Sequence, residues 1–279
     1  ESNLDEHLLP GLEPLGVPSG LSGTAIPFKY NDVDDFKAIL KQHDDIGTIV
    51  LEGARYDLPN TDFLKTIEIE SKKKGIVVIV DEITSGFRMS KSGVYRLFDF
   101  DPDMVVYGKA LGNGFAISTV VGKKEVMSAA QDTFISSTMW TERVGFVAGL
   151  ATLRKLQQNN VYKHLTEIGT HIGREWIKLS EQHGLKLSVS EYKPLITFKL
   201  HYGENNNAIV TLFIQEMLKR GYLASSSVYA TYAHTIKVVD EYLKNVGDVF
   251  EIMSYAINNN KVLDLLETEV RTDMFKRLN

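Results

Sequence analysis

Short apolar runs alternate with longer amphipathic stretches along the first half of the chain. Runs of this length predict strands, and stretches with helical apolar spacing predict helices. The predicted strands are residues 47–51, 76–80, 104–107 and 116–121. The first predicted helix has a capped start within residues 31–35 and ends near Lys41, and the next two helices are residues 62–74 and 123–130. This alternation indicates a mostly parallel sheet flanked by helices and joined by right-handed crossovers, which is an α/β fold.

The second half of the chain has a different organisation. Helical periodicity over residues 142–157 and 161–183 is interrupted at Asn159 and Asn160. We interpret the interruption as the passage from a large domain, residues 1–158, to a smaller C-terminal α/β domain, residues 159–279. Strands at 185–189 and 195–200 and helices at 207–220 and 239–258 are predicted there. Four apolar positions in the first of these helices have the spacing of core packing: Val210, Phe213, Ile214 and Met217.

The composition excludes several classes of function. The 279 residues are 43% hydrophobic, so the chain can bury a sizeable core, and its formal charge of −5 comes without a basic stripe. We therefore expect no nucleic-acid partner. No apolar run approaches the roughly 20 residues that cross a bilayer, and no signal-like segment opens the chain, so no membrane partner is expected. The absence of cysteine excludes disulfide scaffolds and thiol nucleophiles and is compatible with the cytoplasmic location that we predict. The seven histidines are scattered, and we assign no metal.

The first candidate for chemistry is a carboxylate at a strand end. Five apolar residues lead into Asp81 and read as a strand that is covered on both faces. In open parallel sheets, ligands bind at the C-terminal ends of the strands. Asp81 is therefore a candidate site residue, with a helix cap or a turn residue as the alternative.

The second candidate is Lys109, which follows the predicted strand at Met104–Tyr107 in a turn bracketed by Gly108 and Gly112. Parallel strands would deliver this amine to the same edge as Asp81, and partial desolvation there would lower its pKa and favour attack on a carbonyl. An acid and an amine at one pocket suit pyridoxal 5'-phosphate, which needs a lysine at its aldehyde and a carboxylate at its ring nitrogen. A solvated loop charge is the alternative for Lys109. The turn lacks the residue order of a phosphate loop, so that interpretation is rejected.

These residues belong to two longer motifs, Asp81-Glu-Ile-Thr-Ser-Gly-Phe-Arg88 and Tyr107-Gly-Lys-Ala-Leu-Gly-Asn-Gly114. Both resemble motifs of the class III pyridoxal-phosphate-dependent aminotransferases, in the branch similar to glutamate-1-semialdehyde 2,1-aminomutase. The resemblance runs along nearly the whole chain and implies fold type I of the pyridoxal-phosphate-dependent transferases. Further matching segments are Pro27-Phe-Lys-Tyr-Asn-Asp32, Ser137-Thr-Met-Trp-Thr-Glu142, Tyr232-Ala-His-Thr235 and Phe275-Lys-Arg-Leu278.

The resemblance implies a role for four residues. Lys109 would form the internal aldimine and move protons, and Asp81 would pair with the pyridinium nitrogen. Ile83 would pack against one face of the ring, with an ordinary apolar strand-end residue as the alternative. Thr138 would donate its hydroxyl to the cofactor phosphate, in this family usually across a dimer interface, which predicts a homodimer. A helix N-cap is the alternative for Thr138.

The remaining charged residues of the first motif, Glu82 and Arg88, are expected to form structural ion pairs in preference to substrate contacts. Arg55 stands near the end of another predicted strand, and its planar fork suits a substrate carboxylate. A surface ion pair with Asp57 or Glu82 is the alternative for Arg55. Three aromatic residues are candidates for lining a substrate pocket or for core packing: Trp140, Tyr229 and Tyr232.

The chain departs from the family pattern at its start. Family members carry a long N-terminal portion with a phosphate-cradling loop and a ring-stacking aromatic residue, and residues 1–23 resemble the region just after that aromatic motif. Three interpretations are open: residues upstream that belong to the protein but not to this sequence, a truncated chain, or a split gene whose other half is a separate polypeptide. We favour the first, because the chain opens on Glu1 and not on Met.

A second departure separates two activities. The aminomutase has an acidic residue shortly before its Ala-His pair, and no acid stands between Gly221 and His234 here. An intramolecular amino shift must retain its intermediate, so this loss favours ordinary transamination between an amino donor and a keto or aldehyde acceptor. The 2,1-aminomutase reaction and a non-catalytic family member are the alternatives.

Overall fold

A computed structural model describes residues 15–272 of the chain. The family match at residues 275–278 and most of the opening segment therefore lie outside the described residues. Within residues 15–272, no helix is both long and apolar enough to cross a membrane.

A four-stranded sheet forms the centre of the first half. Its strands are β1 (Thr48–Glu52), β2 (Val77–Asp81), β3 (Met104–Tyr107) and β4 (Thr119–Gly122), in that order across the sheet. The first three strands are parallel, as predicted, but β4 runs antiparallel to β3. Residues 108–118 contain a single short 3-10 helix at Lys109–Leu111, and parallel pairing needs a longer crossover. The sheet is therefore mixed and mostly parallel.

Two helices, α1 (Val33–Gln42) and α2 (Thr61–Lys74), cover one face of this sheet. Asp32 caps α1 by accepting a hydrogen bond from the Asp35 backbone, and Asn60 caps α2 through Phe63 in the same way. Gly75 ends α2 with a left-handed φ of 70°, as the sequence predicts. The apolar faces of both helices pack on the inward side chains of β1 and β2.

The C-terminal helices pack around a second sheet. After the short α3 (Lys124–Met127), the helices are α4 (Val144–Gln158), α5 (Val161–Gln182), α6 (Asn206–Lys219) and α7 (Ile236–Asn258). The antiparallel strands are β5 (Leu187–Val189), β6 (Leu195–Leu200) and β7 (Ser227–Tyr229), of which β7 is not predicted from the sequence. The core positions predicted on α6 are confirmed, because Phe213 and Met217 are fully buried and Ile214 packs on the same cluster.

Contacts between the two halves lie close to the end of β2. The Tyr192 hydroxyl donates to the Ser85 carbonyl at 3.0 Å, and the Glu191 carboxylate accepts from the Leu58 backbone at 3.2 Å. Tyr192 is fully buried, so its hydrogen bond fixes the segment before β6 against the loop that follows β2. The two sheets fall on opposite sides of residue 158, and the domain division itself stays a prediction.

Candidate active site

The predicted site residues meet at one edge of the first sheet. Strands β2 and β3 are parallel, and Asp81 pairs with Val106 in their register. The chain leaves both strands at this edge and places Lys109 three residues beyond Val106. Asp81 and Lys109 are therefore brought to the same end of adjacent strands.

One oxygen of the Asp81 carboxylate has a local role. Asp81 Oδ1 accepts a hydrogen bond of 2.8 Å from the Ile83 backbone and so closes a turn at the start of the following loop. Its other oxygen has no hydrogen-bond partner among residues 15–272, and the side chain is only partly buried. Asp81 is thus a turn residue, as the alternative interpretation predicted, and its Oδ2 is still available to a ligand.

The Lys109 amine is held by a neighbouring side chain. Although Lys109 is an exposed residue, its Nζ donates to Thr84 Oγ1 at 2.7 Å, and Thr84 is only 7% exposed. Sequence reasoning does not single out Thr84. Its place inside the motif is the only signal, because no spacing rule brings residue 84 to residue 109. The amine is therefore hydrogen-bonded to a buried hydroxyl at the sheet edge, and its role as the cofactor lysine stays a prediction.

The backbone is strained around this amine. Three residues other than glycine adopt left-handed conformations here: Phe87 with φ 63°, Lys109 with φ 39° and Asn113 with φ 47°. Such conformations are unfavourable for L-residues and persist only where the surrounding structure enforces them, most often at functional sites.

Ile83 packs beside the turn that carries the lysine. A Cβ added at Gly108 would lie 3.4 Å from Ile83 Cγ2, so the apolar side chain contacts the residue directly before Lys109. This contact agrees with the position expected of a residue that flanks a bound ring. The ring-packing role of Ile83 stays a prediction.

Glu82 is buried without a cationic partner, so the expectation of an ion pair is wrong for this residue. Its side chain is fully buried and accepts hydrogen bonds from Ser85 Oγ at 2.5 Å and from the Tyr95 backbone at 3.0 Å. Desolvation raises the pKa of the Glu82 carboxyl from an ordinary 4.5 to about 7. The neutral acid is therefore favoured in the folded protein at pH values below about 7.

Glu82→Gln is expected to flatten the pH dependence of stability. The folded protein keeps a proton on Glu82 that the unfolded chain loses above about pH 4.5, so this stabilisation is complete at lower pH and is lost as the pH rises through about 7. A shift of this size corresponds to about 3 kcal/mol. In urea unfolding between pH 5 and pH 8, the free energy of unfolding of wild type should fall as the pH rises, and that of Glu82→Gln should fall less. Glu251→Gln, at an exposed position of α7, is the matched control. An equal dependence of unfolding free energy on pH in wild type and Glu82→Gln would refute the raised pKa of Glu82.

Arg88 forms no ion pair in the described structure, so its expected ion pair is also absent. Its Nε donates to the Thr84 carbonyl at 2.8 Å, and its guanidinium lies 5.0 Å from the centre of the Tyr229 ring. Tyr229 thus packs on this cation. Of the other two aromatic candidates, Tyr232 lines a cavity beside Arg88, and Trp140 is 62% exposed.

Arg55 lies in a different part of the surface. It pairs with Glu52 at 3.5 Å, so neither Asp57 nor Glu82 is its partner, and both side chains of the pair are well exposed. Arg55 lines a cavity of about 480 Å³ together with Tyr30, Glu52 and Tyr56, none of which lines the cavity beside Arg88. Its role as a carboxylate clamp stays a prediction.

Thr138 lies in an exposed turn before α4 and does not cap that helix. The helix begins at Val144, and the Glu142 carboxylate accepts from the Val144 backbone at 2.7 Å. The N-cap interpretation of Thr138 is therefore wrong. Its hydroxyl has no hydrogen-bond partner in the described part of the chain, which leaves it available to a group from outside.

Comparison with known families decides what kind of protein carries this site. The family model described as Aminotransferase class-III matches residues 28–236. The chain belongs to the class-III aminotransferases. The family resemblance of the two motifs is thereby confirmed, and both motifs fall within the matched range.

Individual relatives agree with this class-III assignment. The chain is 30% identical over 250 residues to the 3-aminobutyryl-CoA aminotransferase of Cloacimonas acidaminovorans, which covers 83% of this chain and 60% of the relative. It is 28% identical over 263 residues to a glutamate-1-semialdehyde 2,1-aminomutase of Clostridium botulinum, covering 88% of this chain and 61% of the relative.

Solved structures of transaminases have the same fold. The structure of the PLP internal aldimine form of the Sphingopyxis sp. MTA144 FumI protein superposes with a TM-score of 0.81 at 21% identity, covering 87% of this chain and 61% of that one. The predicted fold class, α/β with a mostly parallel sheet flanked by helices, is confirmed. The chain spans about 60% of the length of the two relatives described above.

Proposed function

We propose that this protein is a pyridoxal 5'-phosphate-dependent aminotransferase, which moves an amino group from an amino donor to a keto or aldehyde acceptor. The observation that carries the proposal is the convergence of a lysine amine and a carboxylate at one edge of the parallel strands. The names of the relatives, which include an aminotransferase and an aminomutase, support the same class of chemistry.

The residues at this edge fit the cofactor. Lys109 offers an anchored primary amine for its aldehyde, and Asp81 offers an unpaired carboxylate oxygen for its ring nitrogen. When bound, pyridoxal phosphate withdraws electrons from the substrate carbon that loses its proton. Asp81 would hold the proton on the ring nitrogen, and Ile83 would pack against the ring. Thr138 would bind the phosphate of the cofactor. Arg55 would bind a carboxylate of the substrate.

Lys109 would also act as the base that moves the substrate proton. Its Nζ donates to Thr84 Oγ1 at 2.7 Å, so the amine has a fixed partner at this edge of the sheet. A base held in position in this way contributes roughly 10²–10⁴-fold to a proton transfer.

Reaction with a single amino donor tests the proposal and separates it from the aminomutase. An aminotransferase given cofactor and donor alone should release one equivalent of keto acid and leave the cofactor in its amine form, followed by absorbance. A 2,1-aminomutase should isomerise one substrate without a second, and that outcome would favour the alternative. A protein that stays colourless after cofactor addition would identify a non-catalytic family member.

We further propose that the working form is a homodimer. Apolar side chains on α4 and β4 are well exposed, including Val120 at 45%, Phe146 at 56% and Val147 at 64%. Exposed apolar surface of this kind is typical of an interface, and a second copy would bring a partner site to Thr138. Sedimentation velocity should give a dimer, and a fully active monomer would contradict it. A cytoplasmic location stays a prediction from the absence of cysteine.

A further inference from the structure

The buried carboxyl of Glu82 joins the two ends of the loop that follows β2. This loop, residues 82–93, leads from β2 to a short 3-10 helix at Val94–Phe98. Near the start of the loop, Glu82 Oε2 accepts a hydrogen bond from Ser85 Oγ at 2.5 Å. Just beyond its end, Glu82 Oε1 accepts from the Tyr95 backbone at 3.0 Å. One side chain therefore ties both ends of the loop together.

Two glycines make room for this carboxyl. A Cβ added at Gly53 would lie 2.5 Å from Glu82 Oε1, and one added at Gly93 would lie 2.6 Å from the same atom. Side-chain carbons do not approach an oxygen this closely, so a larger residue at either position would displace the carboxyl. The surrounding backbone is thus shaped to hold Glu82 in one place.

Thr84 lies inside the turn that Glu82 closes. The Gly86 backbone donates to the Glu82 carbonyl at 2.7 Å, and Ser85 Oγ donates to the Glu82 carboxyl, so hydrogen bonds to Glu82 span residue 84. The Thr84 hydroxyl in turn accepts from Lys109 Nζ at 2.7 Å. The place of the Lys109 amine therefore depends on the conformation of this turn.

We infer that Glu82 is a positioning residue for the Lys109 amine and acts on it through Thr84. Within the described part of the chain, Glu82 makes no hydrogen bond to Lys109, so its effect on the amine is indirect. Resting on the proposed function, this makes Glu82 a determinant of where the amine meets the cofactor aldehyde, because attack requires an amine in a defined place.

The hold on the amine should weaken as the pH rises. The titratable groups that face Glu82 are Asp81 of β2 and the phenols of Tyr30, Tyr107 and Tyr192. Burial raises the pKa of each phenol, so all three stay neutral, and no cation pairs with Glu82 in the described structure. Because burial raises the pKa of Glu82 to about 7, the carboxyl ionises above that pH beside Asp81. An ionised carboxyl without a cation favours opening of the turn to water.

Acetylation of lysines in the full chain without cofactor tests the inference. N-hydroxysulfosuccinimide acetate is the reagent, and mass spectrometry gives the labelling rate of Lys109 relative to the exposed Lys124. Thr84→Val replaces the acceptor hydroxyl by a methyl group and should raise this rate about threefold, as expected for the loss of one hydrogen bond. Glu82→Ala should raise it by a similar factor. The double variant should show no further rise, because effects that act through one contact do not add.

Glu82→Gln is the conservative variant. Its amide keeps an acceptor oxygen for the Tyr95 backbone and cannot ionise. Its Lys109 labelling should match that of wild type at pH 6, and at pH 8 wild type should label about twofold faster. Ser85→Ala removes one donor to the carboxyl and should raise labelling in the same direction, so it tests the inference even where Glu82→Ala does not fold. Glu251→Gln is the matched control and should behave as wild type.

Three outcomes would overturn the inference. They are wild-type labelling in folded Glu82→Ala or Ser85→Ala, a double variant whose effect is the product of the single effects, and the same pH dependence of labelling in wild type and Glu82→Gln. Labelling changes of the expected kind in a protein that never becomes coloured with pyridoxal 5'-phosphate would refute the proposed function and leave the positioning role in place. Colour together with unchanged labelling would support the proposed function and refute the positioning role.

Discussion

Lys109→Ala is expected to abolish both the visible absorbance of bound cofactor and the transfer of amino groups. The variant removes the only amine that Thr84 holds at the end of β3. Without it there is no covalent attachment to the cofactor aldehyde and no positioned base, and the loss of the base alone lowers the rate by roughly 10²–10⁴-fold. Absorbance after addition of cofactor and single-turnover rates with an amino donor measure the two effects.

The control for this variant is Lys124→Ala, since Lys124 is an exposed lysine at the start of α3. It should keep both colour and rate. A Lys109→Ala protein that is folded by circular dichroism and still gains the wild-type absorbance would exclude Lys109 as the attachment site.

Asp81→Asn is expected to keep the colour and lose most of the rate. The amide preserves the shape of the side chain, and its oxygen still accepts from the Ile83 backbone, so the turn after β2 should survive. A neutral amide no longer holds a proton on the ring nitrogen, and electrostatic stabilisation of this kind contributes about 10²–10³-fold. Stopped-flow measurement of the reaction with donor checks the rate, and the absorbance spectrum checks attachment.

Asp99→Asn provides the comparison for Asp81→Asn. Asp99 is exposed and left-handed at φ 50°, a conformation that asparagine tolerates well. Its rate should match wild type. If Asp81→Asn reacted as fast as Asp99→Asn, the Asp81 carboxylate would have no part in the chemistry. Its role would then be limited to the hydrogen bond with the Ile83 backbone.

The parts of this structure that follow from the sequence are those set by local pattern. The apolar runs before Asp81 and Lys109 are strands in which every second residue is buried and the others are partly buried, so the expectation of full cover on both faces is only partly met. Parallel pairing of β2 and β3 brings their ends to one edge. The Gly75 helix end follows from the same kind of local rule. Strand position and the two principal candidate residues were therefore predictable without coordinates.

The parts that do not follow are contacts between loops. Nothing in residue spacing places Thr84 against Lys109, buries Glu82 among neutral donors, or pairs Arg55 with Glu52. Each of these depends on how far a loop folds back over the sheet, which is decided by packing across the whole site. The reversal of β4 has a different origin, because the connection through residues 108–118 is too short for the crossover that parallel pairing needs.

The left-handed backbone at Lys109 has an evolutionary consequence. A non-glycine residue in such a conformation costs of the order of 1–3 kcal/mol, which the fold must offset elsewhere. A chain selected for thermal endurance alone would place glycine at this position. Under the proposed function, lysine at this position lowers the resistance of the fold to unfolding and supplies the amine that the cofactor requires, and this makes residue 109 a poor target for stabilising redesign.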